Sequence, residues 1–218
     1  MESPMEPATP KLRIPLFPLN VVLLPGNPLP LHIFESRYKQ MIRTVVEQSA
    51  PFGVVRARDD GIFRVGCTAM VVRIVKAYED GRMDIATVGQ MPFRIEELHH
   101  DMPYLAATVQ PLADDPQPGP AKITGELRKL FESCYRLAHG AAPADISLWP
   151  ENDPEHSFAY QLAPELPLDL DALQELLEIR TETERRSRLV EQLGALLPRL
   201  VRISQMREKT GANGHGLN

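Results

Sequence analysis

The sequence predicts an α+β chain: an antiparallel sheet, curled or barrel-like, that carries one helix and is followed by a small helical bundle. Three features predict it. From Leu12 to about Leu112, β-branched residues abound and the apolar pattern changes register often. Within that half, "VVRIVKAYEDGRMDIATV" sets two β-rich arms around Asp80 and Gly81, a pair suited to the positive φ angles of a tight primed turn. Beyond residue 120, apolar residues recur at helical steps instead.

Taken in order, "MESPMEPATP" is acidic and proline-rich where a signal peptide would be basic and then apolar, so residues 1–11 read as a flexible arm. The stretch "PLFPLNVVLLPGNPLPLHIFESRY" breaks Leu, Val and Ile runs with Pro15, Pro18, Pro25, Pro28 and Pro30. Its apolar runs fall far short of the roughly 20 residues that cross a bilayer. Proline is tolerated at edges, strand starts and bulges, so short bent strands are expected here. In "ESRYKQMIRTVVEQS", Tyr38, Met41, Ile42, Val45 and Val46 share one helical face. Strands resume through the hairpin, "PFRIEEL" and "YLAATVQPL", which completes a β-rich subdomain over 12–112.

The segment "ADDPQPGP" at 113–120 reads as a linker. The helical subdomain, 121–208, starts with Ile123, Leu127, Leu130, Phe131, Cys134 and Leu137 on one stripe, so Cys134 reads as a packing residue. A second helix is expected from roughly Pro154 to Leu162. A third is capped by Asp169 or Asp171, with Gln174 as the capping-box partner of Asp171. Thr181 and Glu184 form another box before a long helix striped by Leu189, Leu193, Leu196, Leu197 and Leu200. Pro198 inside that stripe predicts a kink or restart, and residues 209–218 a flexible tail.

Composition narrows function. The net charge of −5 and pI near 5.7 give no footprint for nucleic acid, and a 43% hydrophobic share argues against disorder. Cys67 and Cys134 form no C-x-x-C or zinc spacing, which suits a reduced, cytoplasmic chain without metal or cofactor. The adjacent His99 and His100, beside Asp101, would point to opposite faces of a strand and read as an exposed turn. Glu35 reads as a structural carboxylate that meets exposed helix N–H groups or pairs with an arginine such as Arg94.

With the elements placed, the motifs resemble the amino-terminal, substrate-recognition domain of ATP-dependent Lon proteases. They are "PLFPL" at 15–19, Pro25-Gly26, "IFESRY" at 33–38, "FGVV" at 52–55, "VGCTA" at 65–69, "DGR" at 80–82 and "FRI" at 93–95, in that family's order. "SFAYQLAPELPLDLDALQELLE" resembles the family's helical segment, so the likeness spans nearly all of 12–200. Pro92 stands where the family commonly has arginine, and Asp169 where it often has serine. The resemblance implies a six-stranded PUA-like pseudo-barrel around a helix, followed by a helical bundle. It also implies a module that binds unfolded or specific polypeptide segments.

No G-x-x-x-x-G-K-[ST] loop is present, so neither ATPase nor peptidase activity is expected. Without a ring-forming ATPase, a monomer or weak dimer is expected. The alternative reading is a small-molecule or RNA-binding PUA-like module, against which the arginines are dispersed among acids. For peptide binding, the candidates are Met83, Met91, Pro92, Met102 and Tyr104, since methionine adapts to varied apolar partners. Pro92 would mark an edge strand open to an added peptide strand, with Phe93 and Ile95 facing the core.

Overall fold

In the computed structural model, residues 11–113, 120–143 and 157–212 are described. All of the expected arm but Lys11, most of the 113–120 linker, the start of the second helix at Pro154 and the last six residues lie outside them. The chain divides into two compact units, Met1–Ala113 and Asp114–Asn218.

The first unit is a sheet of seven strands: β1 (Leu12–Leu19), β2 (Pro28–Ile33), β3 (Phe52–Arg58), β4 (Gly61–Ile62), β5 (Val65–Ala77), β6 (Met83–His99) and β7 (Ala106–Pro111). The strands run in the order β1-β7-β6-β5-β3-β4, with β2 added along β6. A further pairing of β1 with β3 closes β1, β7, β6, β5 and β3 into a ring, and that closing pair is parallel, where the sequence predicts antiparallel neighbours throughout. β1 spans the seam by changing partner. Residues 12–15 pair with β7 and 16–19 with β3. Pro15 sits at the changeover. Pro28 and Pro30 lie exposed on β2, which pairs only with β6 among the described residues, so their missing N–H groups break no ladder between two strands.

The core of this unit gathers Ile14, Leu16, Val55, Phe93, Ile95, Ala107 and Val109. Phe93 is fully buried, and its ring fills the space in which a Cβ on Gly53 or Gly66 would stand, 2.7 and 2.8 Å from the ring carbons. Helix α1 (Ser36–Glu47) buries Tyr38, Met41, Ile42 and Val45, and the Tyr38 ring packs 4.2 Å from that of Phe17. Val46 is exposed instead, one step around from the buried stripe. Glu35 precedes α1 as its N-cap through its backbone carbonyl; its carboxylate takes a 2.9 Å bond from Arg37 Nε rather than meeting Arg94 or the helix N–H groups. The β5–β6 connection runs over 78–82. Tyr78 and Arg82 close it at 2.9 Å and Gly81 adopts φ 78°, so it is a longer loop than the expected two-residue turn.

The second unit holds α2 (Ala121–His139), α3 (Phe158–Leu162), a 3-10 turn (Ala163–Glu165), α4 (Leu170–Glu178) and α5 (Glu182–Ala212). α2 buries Thr124, Leu127, Phe131 and Cys134, and ends on Gly140 with φ 71°. Asp169 caps α4, its carboxylate accepting the Ala172 N–H at 2.8 Å. Gln174 is not a capping partner of Asp171: it is buried one turn on and donates to Glu178 at 2.8 Å. Thr181 makes half of the expected box: its hydroxyl accepts the Glu184 N–H at 3.2 Å, while the Glu184 carboxylate takes the Thr181 hydroxyl at 2.9 Å in place of the Thr181 N–H.

α5 continues through Pro198 and reaches Ala212, past the expected start of the tail at 209. Pro198 and Gly194, the residue whose carbonyl loses its donor, are both exposed, so water can replace the missing bond.

Polar chemistry is concentrated at Glu182. Its carboxylate accepts from Arg185 at 2.7 Å, Arg186 at 2.8 Å and the Ala159 N–H at 3.2 Å, and also binds the Ser157 hydroxyl. Both arginines are buried. Arg185 also donates to the Ile179 carbonyl at 2.9 Å and covers the Tyr160 ring, while Arg186 donates to Thr124 on α2 at 2.6 Å.

A candidate peptide-binding groove in the sheet unit

The first half of β1, the C-terminal turn of α1 and the loop that leads into β7 surround a groove of about 480 Å³. Leu12, Ile14, Pro15, Val45, Ala50, Pro51 and Ala106 line it with carbon, and Thr44 and Gln48 add polar atoms from α1. Met102 and Tyr104 complete the wall. Two large apolar side chains, Leu12 and Met102, remain 46% and 40% exposed there, although a solvated surface gives them no partner.

Arg13 Nη2 donates to both carboxylate oxygens of Asp101, joining β1 to the loop before β7. That contact holds the Asp101 carboxyl below the usual carboxylate range. The arrangement offers apolar side-chain burial with one fixed charge pair for orientation. It brings together no nucleophile and base, and no group of three metal-ligating side chains occurs among the described residues. His99 Nε2 lies 2.8 Å from the Thr108 hydroxyl, and the cysteines are buried packing residues, with burial pushing Cys67 up to about 12 and Cys134 to about 11.

The structure separates the five residues singled out from the sequence. Met102 and Tyr104 share the groove, Met102 exposed and Tyr104 buried at its base. Met83 is buried at the start of β6, paired with Ile33 and Ala77. Met91 is 44% exposed but lies outside the groove lining.

Pro92 is buried, and the edge expected there does not exist. β6 runs between β5 and β7 at that point, with Cys67 opposite Pro92 and Phe93 opposite Pro111. A register shift between Cys67 and Ala69 absorbs the proline. Thr68 Oγ1 bonds both the Met91 N–H and carbonyl, at 3.1 and 3.2 Å, in place of a regular ladder. Phe93 and Ile95 do face the core. No local pattern marks Leu12, Arg13, Val45 and Asp101 as groove residues, because they come from distant stretches of chain.

The family model of the ATP-dependent protease La (LON) substrate-binding domain matches residues 13–194. The chain belongs to the Lon substrate-binding-domain family. A Lon protease of Cytophaga hutchinsonii is 26% identical over 191 residues, covering 82% of this chain and 23% of its own length. Lon protease 2 of Myxococcus xanthus is 32% identical over 110 residues, 46% of this chain and 13% of its own. The chain thus spans about a quarter of the length of the first of these relatives. Among solved structures, a Lon N-terminal domain protein from Xanthomonas campestris superposes with a TM-score of 0.67 at 21% identity, covering 83% of this chain and 98% of that one. The N-terminal domain of a Mycobacterium avium complex Lon protease gives 0.60 at 14%, covering 84% and 98%. These likenesses establish the fold as that of the Lon substrate-binding domain, with its antiparallel sheet and C-terminal helices. No helix among the described residues is long and apolar enough to cross a membrane.

Proposed function

We propose that this Lon substrate-binding-domain protein is a non-catalytic module that binds polypeptide segments, and that the groove beside β1 takes an apolar side chain of the bound segment. The observation that carries this is the exposure of Leu12 and Met102 on a groove of about 480 Å³ whose lining is mostly apolar, with Thr44, Gln48 and the Arg13–Asp101 pair as its polar members. Membership of a substrate-binding-domain family supports the same class of partner. Neither ATP hydrolysis nor peptide cleavage belongs to this reading. The module acts in the cytoplasm as a monomer or weak dimer, in keeping with two buried free thiols.

The test is a titration of labelled unstructured peptides against the full chain, followed by anisotropy. Saturable binding of apolar peptides, weakened about tenfold by Leu12→Ser or Met102→Ser, is expected from the loss of one buried apolar contact. Absence of saturable binding across a diverse peptide set overturns the reading, and unchanged affinity in both variants removes the groove from it.

A further inference from the structure

The outer half of the β5–β6 hairpin carries a surface that the groove does not explain. β5 meets β3 only through Cys67, Thr68 and Ala69; from Met70 to Ala77 its other edge has no strand beside it among the described residues. On that stretch Val72, Ile74 and Val75 are 64%, 47% and 56% exposed. The register explains how. Val71 pairs with Thr87 and Arg73 with Ala86, and Ile74 pairs with Ile85 and Lys76 with Asp84, so Val72 and Val75 are each the extra residue of a bulge. A bulge re-aims a side chain, and here two successive bulges turn β-branched apolar groups into solvent.

The charges interleaved with them identify the partner. From Val65 to Tyr78 the strand and its end carry Arg73 and Lys76 and no acid. Arg73 is exposed, lies across from Ala86, and its guanidinium makes no hydrogen bond or ion pair among the described residues. Lys76 lies across from Asp84, whose carboxylate is held by His32 and by Tyr78 Oη at 2.8 Å; its ammonium rests over the Tyr78 ring, 4.6 Å from the centroid, and makes no ion pair or hydrogen bond there.

In the self-pairing that sets Ile74 against Val75, a second copy of this chain meets like charge. An antiparallel pairing of two such edges centred between Ile74 and Val75 would set Arg73 opposite Lys76 of the second copy, and like charges directly opposed are destabilising. Bulges and basic residues are also the devices by which exposed edges resist self-pairing.

We infer that the β5 edge from Met70 to Ala77 is a second docking surface, for an extended polypeptide segment that alternates apolar and acidic residues. Apolar groups of the segment cover Val72 and Val75, and its carboxylates meet Arg73 and Lys76. This surface shares with the groove only the class of partner, and its test separates the two.

The probe is a short unstructured labelled peptide alternating Val and Glu, titrated against the full chain, with a Val–Lys peptide as control. The Val–Glu peptide is expected to bind saturably, more weakly as salt rises, and to slow hydrogen exchange over residues 70–77. Reversing both charges (Arg73→Glu with Lys76→Glu) should weaken it about tenfold, as should Val72→Ser with Val75→Ser, each change removing two contacts at an exposed surface. The groove variant Met102→Ser should leave it unchanged. The inference falls if the Val–Lys peptide binds equally well, or if the charge-reversed protein melts normally and keeps full affinity. It falls also if Met102→Ser alone abolishes binding, which gives the peptide to the groove, or if sedimentation shows a dimer that Val72→Ser dissolves, which gives the edge to a second copy.

Discussion

Each of the two units has its own kind of interior, and the two kinds are opposite. In the sheet unit the centre is carbon: Phe93 sits against Leu16 and Val55, and two glycines leave the volume its ring occupies. In the helical unit, two buried guanidinium groups and one carboxylate join α2, α3 and α5 through Thr124, Ala159 and Glu182. A ring of paired strands satisfies its own backbone groups and needs only side chains that fill space. Short helices leave N–H and C=O groups open at every end, and a charged hub with many hydrogen bonds can serve several ends at once.

The sharpest way to break that contrast is Glu182→Ala, which strands Arg185 and Arg186 without their carboxylate. A loss of about 3–5 kcal/mol is expected in denaturant unfolding, because the uncompensated charges stay buried. Replacing Glu182, Arg185 and Arg186 together by Met, Leu and Met should recover most of it, since a well-packed apolar substitute is often neutral. If the single change costs under about 1 kcal/mol, the hub is no more than an exposed ion pair in its effect. In the sheet unit, Phe93→Ala should cost about 3–5 kcal/mol through a cavity. Gly66→Ala should cost about 1–3 kcal/mol by overpacking the same place, its Cβ falling 2.5 Å from the Val54 carbonyl oxygen. Equal stability of Gly66→Ala and the parent protein, measured by thermal melting, would show that the ring has room to move.

Smaller effects sharpen the contrast. Asp169→Ala removes the cap of α4 and should cost about 1 kcal/mol, with Asp169→Ser restoring most of it. Burial raises the thiol of Cys67 to about 12 and that of Cys134 to about 11. A thiol reagent at mildly alkaline pH should therefore react with neither in the folded protein and with both in denaturant. Rapid reaction without denaturant would mean that one unit opens locally.

Asp101 sits below its ordinary value of 3.8 because Arg13 donates to it. The pair's contribution is thus present above that ordinary value and is lost as the pH falls through the lowered one. A carboxyl carbon titration by NMR should place Asp101 below the ordinary carboxylate value, and Arg13→Ala should move it back up.

Much of this protein is decided within short stretches of chain. The stripe Tyr38, Met41, Ile42 and Val45, the arms around Gly81, the Thr181–Glu184 box and the Asp169 cap all depend on residues a few positions apart, so periodicity and capping chemistry suffice to read them. The inward placing of Phe93 and Ile95 follows in the same way from the alternation of a strand. What the tertiary structure alone decided is who lies beside whom. Pro92 reads as an edge residue only until β7 is found pairing along Phe93 and Arg94, and its burial depends on Thr68 replacing part of the ladder. The groove needs Leu12, Val45 and Met102 from three distant segments, and the bulges that expose Val72 and Val75 exist only as a mismatch in length between β5 and β6. Register and ring closure are properties of pairs of strands, and no local pattern in either strand encodes the partner's position.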